Sequence, residues 1–327
     1  MSDEMIAGVA QARVAALRAR EAKRFARARP ASKAALAAGA DAFLDGVPLH
    51  LMRDWSMPHL PLVASAKGAR LTDIDGYEID DFCLGDTGSM FGHSPAPVAK
   101  AIRRQAGRGL TYLLPSEDAL EAGRLLNKRF GAMRWQIATT ATDANRFAIR
   151  VARAVTGRSK ILVFNGCYHG TGDDVMVQLS EGETRNRAGL LGQVADLTKG
   201  AVCVEFNDLA AVEAALAQGD IAAILTEPVM TNSCMVLPED GFHAGLRALC
   251  DRFGALLMID ETHTISSGLG GYTRVHGLEP DIFVVGKCVA GGMPTAVWGL
   301  SDAVALRYTA ANSARAAVRA RMLNPSA

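Results

Sequence analysis

Short runs of apolar residues alternate with helical patterns through the central part of the chain. The runs are apolar almost throughout and lie at 160–164, 201–206, 221–227, 255–260 and 281–287. Helical patterns precede the first run and lie between later runs, at 208–218 and 239–253. Strands that are apolar on both faces and alternate with helices are typical of a mostly parallel sheet. The pattern therefore predicts an α/β fold whose central sheet is covered by helices on both faces.

The two ends of the chain differ from this central part. Residues 2–40 are rich in Ala and Arg and predict a helix that ends at Pro30. Residues 41–94 are irregular, with one strand–turn–strand pattern around Asp75-Gly76. Residues 303–327 are again rich in Ala and Arg and contain no strand pattern. We therefore predict an N-terminal segment at 1–94, a large domain at 95–302 and a tail at 303–327.

Composition and charge narrow the classes of function. The chain has 35 basic and 34 acidic residues, so its overall charge favours neither nucleic acid nor a membrane surface as a partner. No apolar stretch approaches the length of about 18 residues that a membrane-spanning helix requires. The six cysteines lack the spacing of a metal site and suit buried positions in a reducing compartment. These observations predict a cytoplasmic protein without a metal ion, a nucleic-acid partner or a membrane segment.

Two charged residues end apolar runs. Asp260 ends the run at 255–260, and Lys287 ends the run at 281–287. Lysine forms Schiff bases with carbonyl groups, and a carboxylate can keep the pyridine nitrogen of pyridoxal phosphate (PLP) protonated. Because the carboxyl ends of parallel strands meet at one edge of a sheet, both side chains can reach one ring. Each residue alone also fits a simpler interpretation, such as a strand-end lysine that reaches solvent.

Two further segments suit the rest of a PLP site. Residues 139–142 read Thr-Thr-Ala-Thr and come just before a helical pattern, where hydroxyls and backbone amides can bind a phosphate group. The alternative is an ordinary helix cap formed by Thr142 or Asp143. Tyr168 and His169 follow the run at 160–164, where Tyr168 can stack on a flat ring and His169 equally suits a structural polar contact.

Taken together, these segments resemble class III aminotransferases, which have the fold type I of PLP-dependent enzymes. The resemblance is strongest to the branch that contains glutamate-1-semialdehyde 2,1-aminomutase and β-amino-acid aminotransferases. It runs from about residue 50 to residue 300. The stretches that carry it are ARLTDIDGYEIDDF, FGHSPAPVAKAI, TATDANRFAIRVARAVTGRSKILVFNGCYHG, AAILTEPV, GALLMIDETHT and PDIFVVGKCVAGGMPTAVWG.

The resemblance implies a role for each matching residue. Lys287 would form the Schiff base with PLP and move the proton, and Asp260 would pair with the pyridine nitrogen. The other implied cofactor contacts are the phosphate turn at Thr140, Ala141 and Thr142, the ring contacts of Tyr168 and Thr262, and Glu227 near the ring edge. Arg53 matches a position that binds a substrate carboxylate in some relatives. The family also implies a homodimer, an amino donor, and a keto or aldehyde acceptor.

The sequence departs from the family pattern at three places. Ala141 replaces a glycine of the phosphate turn, which predicts weaker binding of the phosphate. Thr262 stands where a valine is usual. Family members also continue for roughly another hundred residues, including a Gly-Thr phosphate contact and most of a small domain. We therefore expect the C-terminal part to be missing and the chain to be a poor catalyst.

Several functions remain open on the sequence alone. The first is a PLP-dependent aminotransferase, and the second is an aminomutase that exchanges an amino group within one molecule. A third is a non-catalytic remnant of the fold. A nicotinamide dehydrogenase would need a glycine fingerprint, but SGLGG at 267–271 lacks the required spacing. An aldolase that uses a lysine without PLP leaves Asp260 unexplained.

Overall fold

The structure is a computed structural model that describes residues 5–6 and 8–323. It forms two compact units. The first contains the described residues up to Leu84 together with Phe91–Lys100, and the second contains Gly85–Met90 and the described residues from Ala101 onward. The predicted boundaries at residues 94 and 302 remain predictions.

The first unit contains small sheets and N-terminal helices. Its elements are β1 (Met5–Ile6), β2 (Val9–Ala10), α1 (Gln11–Ala28), α2 (Pro30–Gly39), β3 (Val63–Lys67), β4 (Arg70–Asp73) and β5 (Glu78–Asp80). The predicted helix does end before Pro30, which then begins α2 because proline lacks the amide hydrogen that the first helical turn leaves unpaired. The predicted turn at Asp75-Gly76 joins β4 to β5, which pair antiparallel.

The second unit contains the large sheet and its covering helices. Helix α3 (Ala96–Ala106) is divided between the units, with its residues up to Lys100 in the first and the rest in the second. The other elements of the second unit are α4 (Glu117–Phe130), β6 (Arg134–Ala138), α5 (Ala141–Thr156), β7 (Lys160–Phe164), β8 (Val177–Ser180), β9 (Glu183–Asn186), β10 (Ala201–Val204), α6 (Leu209–Leu216), β11 (Ile221–Thr226), α7 (Phe242–Phe253), β12 (Leu256–Asp260), α8 (Gly271–Val275), β13 (Ile282–Val285), β14 (Ala296–Leu300) and α9 (Asp302–Leu323).

The large sheet has seven strands in the order β10-β7-β11-β12-β13-β14-β6. Neighbours from β10 to β13 pair parallel, and only β14 runs antiparallel to the strands on either side of it. All residues of β11, β12 and β13 are buried, which explains why these runs are apolar on both faces. The prediction of a mostly parallel, helix-covered sheet is confirmed.

Helix α5 shows how the sheet is covered. Its buried positions include Ala144, Ala148, Ile149 and Ala152, which recur at the three- and four-residue spacing of one helix face. This face packs on β11, β13 and β14. Small alanine side chains let the helix approach the sheet closely. Residues 139–142 before and at the start of α5 line the same cavity as Asp260 at the end of β12, so the N-terminus of α5 lies near the carboxyl edge of the strands.

Some predicted strands are longer than the observed ones. The run at 281–287 forms a strand only as far as Val285, and the run at 201–206 only as far as Val204. The prediction that Lys287 ends a strand is therefore wrong. Lys287 instead begins a single turn of 3-10 helix at Lys287–Ala290. Apolar character continues beyond the strands because the loops at this edge are also partly buried, so hydrophobicity overestimates their length.

Among residues 5–6 and 8–323, no helix is long and apolar enough to cross a membrane. In the same residues, no group of three or more His, Cys, Asp or Glu side chains is arranged to hold a metal ion.

Candidate active site

Asp260 lies at the carboxyl end of β12 and is almost completely buried, with 4% of its surface exposed. Its Oδ2 accepts a hydrogen bond from Asn145 Nδ2 at 2.9 Å and lies 3.0 Å from His169 Nδ1. Its Oδ1 accepts hydrogen bonds from the backbone amide of Thr262 at 3.1 Å and from Thr262 Oγ1 at 2.6 Å. Each carboxylate oxygen is thus held by two partners, which fixes the side chain in one orientation.

The charge of Asp260 follows from these partners. Burial by itself raises the pKa of the carboxyl, but the hydrogen bonds and charge of His169, with the contacts of Thr262 and Asn145, bring it below its ordinary value. Burial lowers the pKa of His169, but its contacts with Cys167 and Asp260 outweigh burial and raise that pKa to about 10. The site therefore pairs a buried carboxylate, whose partners favour its ionised form, with an imidazole whose contacts favour its protonated form.

Lys287 lies two residues beyond the end of β13, which pairs with β12. Its backbone has φ 51°, in the left-handed region that side chains other than glycine rarely adopt. Its Nζ is 2.8 Å from Asp86 Oδ2 and 2.7 Å from His263 Nε2. The amine is thus reached from two sides by polar groups, while 22% of the side chain stays exposed.

The N-terminus of α5 faces the same place. Thr140 caps the helix, because its Oγ1 accepts a hydrogen bond from the amide of Asp143 at 3.1 Å. The alternative of a cap formed by Thr142 or Asp143 is therefore wrong. Thr142 instead accepts a hydrogen bond from the amide of Thr171 at 3.3 Å. The first amides of the helix and two threonine hydroxyls are consequently grouped at one end of α5.

Two glycines allow this close packing around the first turn of α5. A Cβ on Gly170 would lie 2.2 Å from Thr142 Oγ1, and Gly170 has φ 90°. A Cβ on Gly286 would lie 2.8 Å from the Cβ of Ala141. Both distances are too short for real atoms, so each position requires glycine as long as Ala141 and Thr142 keep their places.

One cavity of about 360 Å³ is lined by all eight residues of the predicted cofactor site. They are Thr140, Ala141, Thr142, Tyr168, Glu227, Asp260, Thr262 and Lys287. Its other lining residues are Asp86, Gly88, Thr139, His169, Gly170, His263, Gly292, Met293, Pro294 and Thr295. Residues that lie far apart in the sequence are therefore brought together on the carboxyl side of the sheet.

Glu227 follows β11 and is 3% exposed. Its Oε2 accepts hydrogen bonds from the amide of Thr231 at 3.1 Å and from the Thr231 hydroxyl. Its Oε1 is buried and has no hydrogen-bond partner among the residues that the structure describes. A buried oxygen without a partner costs free energy, so this atom is suited to accept a hydrogen bond from a bound molecule.

Tyr168 lines the cavity and is 40% exposed. The backbone carbonyl of its neighbour His169 accepts a hydrogen bond from Asn145 Nδ2 at 3.1 Å, which ties this loop to α5. The predicted stacking of Tyr168 on a ring remains a proposal.

Arg53 belongs to the first unit. Its Nη1 is 2.8 Å from Asp45 Oδ2 and its Nε is 3.3 Å from Asp54 Oδ1, with 56% of the side chain exposed. Two carboxylates of its own segment therefore pair with the guanidinium. Its predicted role toward a substrate carboxylate remains a prediction.

The glycine cluster at 267–271 has a structural role. The Glu261 carboxylate, fully buried, accepts hydrogen bonds from Thr264 Oγ1 at 2.5 Å and from the amides of Tyr272 and Thr273. A Cβ on Gly271 would lie 2.8 Å from Glu261 Oε1. The cluster thus leads into the five-residue helix α8 and folds against an internal carboxylate.

Among the residues that contact Asp260 or Lys287, sequence reasoning missed Asn145, His263 and Asp86. Asn145 could have been found, since it is a polar residue at a buried position of the apolar face of α5. His263 lies three residues after Asp260, at the edge of the sheet where the site was predicted, and this position was the available signal. Asp86 left no comparable signal, because its contact with Lys287 joins segments about 200 positions apart in the sequence.

Comparison with known proteins agrees with this geometry. Residues 52–317 match the family model described as aminotransferase class III. A glutamate-1-semialdehyde aminomutase from Pseudomonas aeruginosa PAO1 is 52% identical, with a TM-score of 0.89 over 92% of this chain and 66% of its own, and a variant of it was crystallised in complex with PMP. An omega-transaminase from Sphaerobacter thermophilus is 30% identical, with a TM-score of 0.76 over 83% of this chain and 64% of its own.

A beta-phenylalanine aminotransferase from Variovorax paradoxus is 26% identical, with a TM-score of 0.77 over 88% of this chain and 64% of its own. The chain therefore spans just under two thirds of the length of these solved relatives.

Proposed function

The chain belongs to the class III aminotransferase family, and we propose that it holds PLP in the cavity beside Asp260 and moves an amino group between small molecules. The observation that carries the proposal is that the amine of Lys287 and the buried carboxylate of Asp260 line the same cavity. The amino donor would be an amino acid or amine, and the acceptor a keto acid or aldehyde.

The residues present fit PLP in charge and size. A cavity of about 360 Å³ lies within the range of about 300–1,000 Å³ that small-molecule sites occupy. Asp260 supplies the negative charge that a pyridinium nitrogen needs, and the N-terminus of α5 supplies amides for a phosphate. Glu227 Oε1 offers an unused acceptor on the same wall.

Different residues of the site would bind the cofactor and move the proton. When bound, PLP supplies an aldehyde that bonds to amines and a pyridinium ring that withdraws electrons from the carbon losing a proton. Asp260 would keep the ring nitrogen protonated. The hydroxyls of Thr140 and Thr142 would hold the phosphate, and Tyr168 and Thr262 would contact the ring. Lys287 would hold the cofactor through its amine and, when that amine is free, would move the proton at the substrate carbon.

Intramolecular exchange of the amino group is the second candidate. The observation in its favour is the 52% identity to a glutamate-1-semialdehyde aminomutase, against 30% to the omega-transaminase. An aminomutase would isomerise glutamate-1-semialdehyde without a second substrate, whereas an aminotransferase would require a separate acceptor. Measuring product formation with and without an added keto acid separates the two.

The first test is the absorption spectrum of the purified chain mixed with PLP and then dialysed. We expect a bound spectrum distinct from that of free PLP, which an added amine then changes. A spectrum that matches free PLP, lost on dialysis, would contradict cofactor binding. A bound spectrum that no amine from a broad panel changes would instead support the non-catalytic remnant of the fold.

A cytoplasmic homodimer remains our expectation for the assembly and location of the chain. It rests on the resemblance to the family and on the cysteine content, whose spacing suits a reducing compartment. Analytical ultracentrifugation with and without PLP tests the oligomeric state.

A further inference from the structure

The amine of Lys287 lies between a carboxylate and an imidazole. Asp86 Oδ2 is 2.8 Å from Nζ on one side, and His263 Nε2 is 2.7 Å from it on the other. A lysine ammonium has three donors and no acceptor, so Nε2 must be the acceptor in this contact. The imidazole therefore presents a lone pair directly to the amine that the proposed chemistry uses.

The second nitrogen of His263 is also engaged. Nδ1 lies 3.3 Å from Thr87 Oγ1. Because Nε2 accepts, Nδ1 of the neutral ring carries the hydrogen and donates it to the Thr87 hydroxyl. Thr87 thus orients the ring so that the lone pair of Nε2 points at Lys287.

The backbone around this amine is strained. Asp86 has φ 54°, Thr87 has φ 69° and Lys287 has φ 51°, all in the left-handed region. None of the three is glycine, and such positions cost free energy that the surrounding structure must offset. Asp86 contacts the amine of Lys287 and Thr87 contacts the imidazole beside it, so three strained positions support one cluster of side chains.

We propose that His263 takes a proton from Lys287 Nζ and returns it, so that the lysine alternates between ammonium and free amine. The inference rests on the proposed function, in which Lys287 must lose a proton before its nitrogen can bond to the PLP aldehyde. In this step one N–H bond of the ammonium breaks, its electron pair stays on Nζ, and an N–H bond forms at His263 Nε2. The imidazole becomes an imidazolium, and no oxidant or reductant is needed.

His263 suits this role better than the other groups that face it. The charged groups around it are Lys287, Asp86, Glu227 and Asp260. An imidazole is a stronger base than a carboxylate and exchanges protons near neutral pH. Burial, followed by the charge of Lys287, lowers the pKa of His263, which keeps its lone pair available at neutral pH.

The test is the rate at which Lys287 forms its borohydride-reducible linkage with added PLP, measured from pH 5 to pH 8. We expect the rate for the natural chain to decrease as the pH is lowered below 6.5, because His263 then takes up a proton and can no longer accept one from Lys287. In His263→Gln the amide can accept a hydrogen bond but cannot carry a proton. Its rate at pH 7 should fall about 100-fold, and the inflection should disappear.

The matched control is His276→Gln. His276 stacks on Tyr272 with ring centroids 3.9 Å apart and does not line the cavity. Dividing each variant's rate by that of the natural chain at the same pH cancels the ionisation of PLP itself. The control should give a flat ratio near one.

Thr87→Val is a second variant that keeps the test decisive if His263→Gln fails to fold. It removes the acceptor for Nδ1, so we expect a two- to tenfold slower linkage and a shifted inflection. An unchanged pH profile in a folded His263→Gln would overturn the inference. So would an inflection that disappears in Asp86→Asn but persists in His263→Gln. If the natural chain forms no linkage at all, the proposed function itself has failed.

Discussion

The two sides of the cavity are built differently. Asp260 is buried, and each of its oxygens has two hydrogen-bond partners. Lys287 is partly exposed, lies on a strained backbone and meets two groups that can exchange a proton or move aside. The first side is organised to hold one charge in place, and the second is organised to change its charge. A site that anchors a cofactor and moves protons needs both.

The difference has an origin in the fold. Asp260 ends a central strand that is buried on both faces, and its partners come from α5 and from the loops after β7 and β12. Lys287 begins a loop after β13, and its partners come from residues 86 and 263 in other loops. Regular elements hold the fixed charge, whereas loops surround the reactive amine.

Asp260→Asn should give the largest effect if the Asp260 side holds the cofactor electrostatically. A neutral amide cannot keep a pyridinium protonated, so we expect turnover to fall by on the order of 100-fold or more and PLP affinity by about 10–100-fold. The far-ultraviolet circular dichroism should stay unchanged.

Asp281→Asn is the matched control for this change. Asp281 pairs with Arg247 at 2.9 Å and accepts a hydrogen bond from the amide of Leu257. Since Asp281 does not line the cavity, the control should lose stability but keep PLP affinity. Equal losses of PLP affinity in both variants would contradict an electrostatic role of Asp260 in binding the cofactor.

Gly170→Ala tests whether the fixed side depends on close packing at the start of α5. The new Cβ would displace Thr142, and we expect PLP affinity to fall about tenfold through a lost phosphate contact. Gly182→Ala is the matched control, because Gly182 has φ 78° with open space around it. The PLP dissociation constant of each variant gives the comparison. Weakening of the same size in the control would show that backbone strain alone is responsible.

The pH dependence of stability sharpens the comparison further. The pKa of His169 rises from 6.5 to about 10 on folding, so its stabilising contribution is complete below pH 6.5 and is lost as pH rises towards 10. The pKa of Asp260 is lowered from 3.8, so its contribution is present above pH 3.8 and is lost as pH falls below that value. Both contributions are therefore present between pH 3.8 and pH 6.5.

We expect the free energy of unfolding to decrease between pH 6.5 and pH 10, and His169→Gln to reduce that slope. Urea denaturation at several pH values measures both. A slope that is identical in His169→Gln would mean that His169 carries no proton linked to folding.

Arg53→Lys is expected to have the smallest effect, because Arg53 belongs to the first unit and does not line the cavity. If it clamps a substrate carboxylate with two parallel hydrogen bonds, lysine cannot replace it. KM should then rise several-fold for amino acids but not for simple amines. Equal changes for both substrate types would count against a clamp.

Much of the fixed side was predictable from the sequence. Asp260 and the Thr140–Ala141–Thr142 turn lie at junctions of regular elements, and such junctions are marked by a change in hydrophobic pattern. Even there, the cap assigned to Thr142 or Asp143 belongs to Thr140, because capping depends on where the first helical turn closes. Asn145 was visible in principle as a polar interruption of an apolar helix face.

The reactive side was less predictable. The sequence singled out Lys287 as a candidate, but it did not predict that the residue lies beyond the strand or has a left-handed backbone. Its contacts with Asp86 and His263 join segments about 200 and 24 positions away, and no local pattern encodes such contacts. Loop residues that meet only through tertiary structure therefore required the three-dimensional fold.

If Lys287 is the amine that bonds to PLP beside Asp260, one chemical labelling experiment should identify it. Borohydride reduction of the chain mixed with PLP, followed by proteolysis and mass spectrometry of the peptides, locates the modified lysine. We expect the added mass on the peptide that contains Lys287 and none in Lys287→Ala, while Lys160→Ala should leave it unchanged. Modification of a different lysine, or an unchanged yield of adduct in Lys287→Ala, would show that Lys287 is not this amine.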